Sequence, residues 1–244
     1  MKKPSGYIIY RGASLLDDKP IIVVAITGKS SNSKTGDMVQ TYILADNGKS
    51  PVESAKALDD VSVCGDCKHR RGLGGSCYVN LGQGPHSVMS GVIRGIYELS
   101  DGYNVNTAVL GRKVRLGTYG DPAAVPAYVW ETLLAGADSH TGYTHQWKNG
   151  KADHVKQWCM ASVDTSKEAA LAKMEGWRTF RVRVADGSPE FSHEMKCPAS
   201  AEMNKRLTCD TCMACSGGTD SKKASVTIIV HGSLKNRFYA SMGA

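Results

Sequence analysis

Residues 157–184 read QWCMASVDTSKEAALAKMEGWRTFRVRV, and their order decides the fold. The largely apolar run 157–163 predicts a buried strand. Thr165 and Glu168 make the Thr-x-x-Glu pattern of a capping box. Good helix formers continue to Glu175, and Gly176 supplies the stop. The stretch 178–184 then predicts a second strand. Strand, helix and strand in succession imply parallel strands joined by a right-handed crossover.

The same texture extends on both sides. From about residue 88 onward the pattern predicts a helix over 87–99, a strand over 113–119, a helix over 125–135 and a strand over 141–147. A last strand is expected over 226–231. Before residue 60 the chain reads as β-rich, with strands at 7–10, 20–27 and 38–45. Asp17-Asp18, the polar stretch 28–33 and Asn47-Gly48 mark the turns. The expectation is one α/β domain over 1–244: a β-rich N-terminal segment (1–60) and a βα body (61–244) that carries cysteine-cluster loops. The element count suits a partial or irregular (β/α) barrel, with a doubly wound sheet as the alternative. No G-x-G-x-x-G turn is present, so dinucleotide binding has no support.

Composition narrows the class. At 244 residues, with 41% hydrophobic and 22% charged residues, the chain can bury a sizeable core, which excludes wholesale disorder. Its longest apolar run, 20–27, falls far short of the ~20 residues that a spanning helix needs. Lys2 and Lys3 precede no apolar stretch, so no secretory signal is expected. A cytoplasmic protein without a membrane partner is the expectation. The net charge of +7 favours an acidic partner such as nucleic acid, although the basic residues are scattered.

A reducing compartment decides how the eight cysteines are read, since clustered thiols there bind metal more often than they pair. Seven fall in two groups. Cys64-x2-Cys67-x9-Cys77 is the first, and Cys197-x11-Cys209-x2-Cys212-x2-Cys215 is the second. Thiolate suits zinc or iron–sulfur. Three cysteines at successive spacings of three, with a further Cys before them, resemble the ligation of a 4Fe–4S cluster; structural zinc is the alternative. Three ligands in the first group leave one iron open, unless Cys159 or a His closes the set. Cys64, Cys67 and Cys77 are therefore the expected cofactor-binding residues, and all seven are expected metal ligands.

In parallel βα folds, ligands sit at the carboxyl ends of the strands. Asp121, His145, Asp164, Arg183 and His231 each stand where a strand is expected to stop, and are the candidate catalytic residues. Asp121, before Pro122, is equally readable as a helix N-cap. Arg181 and Arg183 share one strand face, where they either clamp an anionic ligand or face solvent. His140, His145 and His154 lack the helical spacing of a zinc motif. No Ser/His/Asp order, nucleophile elbow or Walker loop is present.

The stretches 64–85 (CGDCKHRRGLGGSCYVNLGQGP), 114–126 (VRLGTYGDPAAVP), 142–147 (GYTHQW), 160–165 (MASVDT), 176–182 (GWRTFRV), 197–202 (CPASAE), 209–215 (CDTCMAC) and 228–233 (IIVHGS) resemble, in order, an uncharacterised family of tailed-phage proteins named after gene product eighty-eight, and its sister families. That family is in turn reminiscent of radical S-adenosylmethionine enzymes, with a Cys trio ending in Cys-Tyr and extra C-terminal cysteines like an auxiliary cluster. This chain departs from their usual C-x3-C-x2-C spacing. The resemblance implies a phage protein in the cytoplasm of an infected bacterial host, one or two iron–sulfur clusters, S-adenosylmethionine as a cofactor, and an unknown small-molecule substrate at a barrel mouth. The alternative is a non-catalytic structural or assembly protein, self-assembling or nucleic-acid-binding, with structural clusters or zinc.

Overall fold

Parallel strand pairing runs through most of the chain, as the strand–helix alternation requires. The computed structural model describes residues 4–29, 32–185, 192–219 and 222–242. Ser30 and Ser31 of the expected turn at 28–33, and the N-terminal Lys2 and Lys3, lie outside the described residues.

Eleven strands form two sheets among the described residues. The first contains β1 (Gly6–Ala13), β2 (Pro20–Ile26), β3 (Val39–Ala45), β4 (Glu98–Leu99), β5 (Lys113–Tyr119) and β6 (Ser139–Thr141), in the order β4-β1-β2-β3-β5-β6. Antiparallel pairing joins β1 to β2 and β2 to β3, while β1–β4, β3–β5 and β5–β6 are parallel. The second contains β7 (Tyr143–Thr144), β8 (Met160–Val163), β9 (Thr179–Arg183), β10 (Glu194–Lys196) and β11 (Ser225–Ile229), in the order β10-β11-β9-β8-β7. All four of its pairings are parallel.

The strand expected over 141–147 is split. Gly142 separates β6 from β7, so the chain leaves one sheet and enters the next there. A side chain at 142 would press within 2.7 Å of Cys159 Sγ, which is why the residue at this crossing is glycine. The helix expected over 87–99 is also shorter. It starts earlier and runs Gly84–Ile93; Gly95 then adopts a left-handed φ of +66°, and residues 98–99 pair with β1 as an edge strand.

The decisive unit behaves as read. Helix Ser166–Met174 carries Thr165 at its N-cap, where the hydroxyl accepts from Glu168 N at 3.0 Å. The Glu168 carboxylate reaches one residue further back than in an ordinary capping box, to Asp164 N at 2.9 Å. Gly176 takes φ +77° just past the helix. Five helices appear where none was expected: Pro51–Lys56, which has its own capping box between Ser50 and Glu53, Tyr103–Val109, Lys235–Ser241, and the single turns Val61–Cys64 and Cys209–Cys212. The buried strands β2, β3 and β5 and Trp130 form the main core. Met160, Val226 and Ile228 build a smaller core beside Cys197 and Cys215. Among the described residues, no helix is long and apolar enough to cross a membrane.

Candidate functional site

Side chains two apart on a strand point the same way, and this period assembles one cavity of about 250 Å³. Arg115, Gly117 and Tyr119 from β5, Tyr143 from β7, Ser162 from β8, Phe180 and Val182 from β9, and Val226 and Ile228 from β11 all line it. Both cysteine groups line the same cavity. All eight cysteines are free thiols.

The first group is held by a folded loop. Cys64 closes the short helix Val61–Cys64. Cys67 N donates to Cys64 O at 3.2 Å, and Cys77 N donates to His69 O at 2.9 Å. Arg70 staples this loop from within: Nε donates to Asp60 Oδ1 at 3.0 Å, Nη1 to Gly65 O at 3.2 Å and Nη2 to Leu58 O at 3.0 Å. Gly65 has φ +57°, and a side chain there would lie 2.5 Å from the Gln146 amide. That amide donates to Cys64 O at 3.2 Å and ties the loop to the end of β7.

The second group hangs from the other end of the sheet. Cys197 N donates to Thr227 O at 2.8 Å beside β10 and β11. Cys209–Cys212 is a single helical turn capped by Thr208, and Met213 follows with φ +49°. Arg178 donates to the carbonyls of Ala214, Ser216 and Gly217, which pins the chain on either side of Cys215.

Burial and mutual repulsion govern the thiols. Burial, then Cys67 and Cys77, push the Cys64 thiol well above its ordinary value. Burial takes Cys67 up to about 12. Cys215 also stands at about 12, through burial and the nearby Cys197, Cys209 and Cys212, against a hydrogen bond with Tyr143. Members of each group thus sense one another, and neither group favours thiolate without a cation to compensate. Sulfur donors of this number and type fit a thiolate-ligated iron–sulfur cluster or zinc. Among the described residues, no three His, Cys, Asp or Glu side chains stand where they could ligate one ion as they are placed. Loading either group therefore needs the loops to draw in, or a group larger than a single ion. Cys159 is buried behind Gly142 and does not line the cavity, so it does not complete the first group.

Four of the five strand-end residues, Asp121, His145, Asp164 and His231, line the cavity. Asp121 is the N-cap of the turn Pro122–Ala124 and a structural hub: Oδ1 accepts from Ala123 N at 3.0 Å and Thr144 Oγ1 at 2.7 Å, and Oδ2 from His145 N at 2.7 Å. Burial raises its pKa, against the pull of His145 and these hydrogen bonds. Asp164 differs. Burial opposes its charge, yet hydrogen bonds with His69 and Lys68 and the nearby His145 hold its pKa at about 2. Its Oδ2 lies 2.7 Å from His69 Nε2 and 2.9 Å from Lys68 Nζ, while Oδ1 is buried without a partner among the described residues. His231 lies 3.3 Å from Lys34 Nζ at the cavity wall.

Arg183 does not join them. The alternation of β9 sends Phe180 and Val182 to the cavity and buries Thr179, Arg181 and Arg183 on the opposite face. There Arg181 pairs with Glu194 at 2.6 Å and Arg183 pairs with Glu202. The two guanidiniums therefore hold carboxylates of the protein itself rather than clamping a ligand.

Sequence reasoning missed several cavity residues. Ser76 Oγ, His69 and Asp164 form a hydrogen-bonded chain, with Ser76 2.7 Å from His69 Nδ1. Ser76 meets Nδ1 and Asp164 meets Nε2, the reverse of the serine-hydrolase attachment, so the chain braces the cysteine loop against β8. Arg115 was also missed. Its Nη2 donates to Tyr78 Oη at 2.9 Å, and its guanidinium stands 5.4 Å from the Tyr143 ring centroid. The period of two on β5, counted back from Asp121, was the signal for it.

Set against protein-family models, curated proteins and solved structures, the chain matches no family model, no curated protein and no solved structure.

Proposed function

We propose that this chain is a phage-encoded, cytoplasmic iron–sulfur protein whose cavity is a reaction site of the radical S-adenosylmethionine type. Cys64, Cys67 and Cys77 would hold a working 4Fe–4S cluster with one iron left for a ligand. Cys197, Cys209, Cys212 and Cys215 would hold an auxiliary one. The observation that carries this reading is that both cysteine groups, distant in sequence, line one cavity together with Asp121, His145, Asp164 and His231. Purely structural clusters have no reason to share a cavity wall with strand-end polar residues.

When bound, such clusters supply one-electron chemistry and an open coordination position. The chain's own residues do the rest. Asp164, charged down to about pH 2 and with one oxygen unpartnered, offers an acceptor to a cationic group near the first cysteine loop. His69 and Phe238, stacked at 5.8 Å, shape the wall beside it. Phe180 and Val182 of β9 and Val226 and Ile228 of β11 give the cavity an apolar wall. We further propose that the two sheets, linked by the chain through residues 139–144, curve as a partial (β/α) barrel around this space. Support comes from the residues of β5, β6, β7, β8, β9 and β11, drawn from both sheets, that line it.

The rival reading, a nucleic-acid-binding or assembly protein with structural metal, draws on the net charge of +7. Anaerobic purification followed by iron, acid-labile sulfide and zinc analysis separates the two metal chemistries. Iron with sulfide, at more than one cluster's worth per chain, is the expected result. Stoichiometric zinc without sulfide, or no metal, overturns the proposal.

A further inference from the structure

A buried charge is stabilised by a counter-charge or by a full set of hydrogen bonds, and among the described residues Arg115 is the buried arginine with the least of either. Arg70 lies on Asp60, Arg181 on Glu194 and Arg183 on Glu202. Arg178 is wrapped by backbone carbonyls. Arg115 is 9% exposed, and among the described residues no carboxylate accompanies it; the Tyr78 hydroxyl and the Tyr143 ring are its neighbours. A guanidinium carries five donors in a rigid fork that matches an oxyanion. This one lines the cavity beside the second cysteine group, where Cys209 and Cys215 lie near enough to act on it electrostatically, and it reaches the first through Tyr78, which follows Cys77 directly. Lys34, on the same cavity wall, adds a second positive charge. The cavity wall is also apolar in part, with Phe180, Val182, Val226, Ile228 and Val230.

We propose that the cavity takes a small molecule with an apolar body and one oxyanion end, and that Arg115 receives that end. The proposal deepens the reading of the cavity as the functional site and assigns the substrate class. It supplies the counter-charge that Arg115 lacks, and it places the ligand's body along the faces of β9 and β11, between the two cysteine groups. Carboxylate and phosphate share the recognition chemistry, and the probes distinguish them.

The test is calorimetric titration of the full-length, anaerobically purified protein at fixed ionic strength with three probes: hexanoate, phenyl phosphate and the neutral hexanamide. At least one anion should bind about tenfold or more tighter than hexanamide, as expected for a charge-assisted hydrogen bond in a desolvated site. The tighter anion identifies the end group. Arg115→Gln should bring that anion down to the level of hexanamide and leave hexanamide unchanged. Arg115→Lys, which keeps the charge and loses the fork, should retain part of the preference and serves if the glutamine variant does not fold. Equal binding of anion and amide, binding of none of the three, or a preference that survives in Arg115→Gln overturns the proposal; in those cases Arg115 serves the second cysteine group alone. Iron and sulfide measured on the same samples keep the two readings apart. Anion preference without iron removes the cluster assignment and leaves this site standing, and iron without anion preference does the reverse.

Discussion

Removing Asp60 should cost far more than its modest place in the sequence suggests. Asp60 is 2% exposed and Arg70 7%, so the pair is desolvated. Asp60 also precedes the helix Val61–Cys64 but makes no side-chain capping bond there, so capping does not contribute to the loss. In Asp60→Ala the guanidinium keeps the carbonyls of Gly65 and Leu58 but loses its counter-charge. Stranding one member of a buried pair costs about 3–5 kcal/mol, a large share of the ~5–15 kcal/mol that holds a domain folded. The solvent-exposed pair Lys49–Asp59, at 2.6 Å, is the control, and Lys49→Ala should leave stability nearly unchanged. Urea unfolding at unchanged m-value measures both. Asp60→Ala combined with Arg70→Met should be less destabilised than Asp60→Ala alone, because the stranded charge is gone. A single variant as mild as Lys49→Ala, or a double variant worse than the single, would refute the argument that burial of this pair stabilises the first cysteine loop.

Asp164 predicts an acid limb. Its folded-state pKa of about 2 lies below the ordinary carboxylate value, so its contribution is present above about pH 4 and is lost as pH falls through about 2. That contribution is roughly 2 kcal/mol, and the stability gap between wild type and Asp164→Asn should narrow by about this amount on acidification; a gap independent of pH contradicts it. Gly65→Ala forces a side chain into a left-handed conformation against the buried Gln146 amide, and should lower the melting temperature and the iron bound by the first group. Wild-type melting with full iron content would sink that expectation. Cys212→Ala should lose both metal and stability, since a closed four-thiolate site contributes its binding energy to folding. Cys77→Ala should keep the second group's metal and most of the stability, and a Cys212→Ala protein that stays fully metallated would show that the second group is no ligand set.

The parts legible in the sequence were those set by local signals. Thr165, Glu168 and Gly176 fixed the βαβ unit at both helix ends because caps and stops act over a few residues. Convergence of His145, Asp164 and His231 follows from the parallel strands of the second sheet, and Asp121, which follows β5 of the first, joins them through its bonds to Thr144 and His145. Arg183 escaped that logic because alternation says which residues share a face but not which face meets the cavity; Phe180 and Val182 took it. The helix Pro51–Lys56 was readable from Ser50, Pro51 and Glu53 and was overlooked in a segment whose neighbours are strands. The edge strand at 98–99 was hidden because two residues carry no period, and its partner β1 lies about ninety positions away. The chain from Ser76 through His69 to Asp164, and the isolation of Arg115, depend on contacts across the whole fold, which no local pattern encodes.

The proposed function requires two metal clusters that face each other across one cavity. An anomalous difference map at the iron edge, from crystals grown anaerobically, tests it most directly. Two iron peaks are predicted, one within ligation distance of Cys64, Cys67 and Cys77 and the other within ligation distance of Cys197, Cys209, Cys212 and Cys215, with Arg115 between them. A single peak, peaks outside the cavity, or density that responds at the zinc edge instead would contradict it.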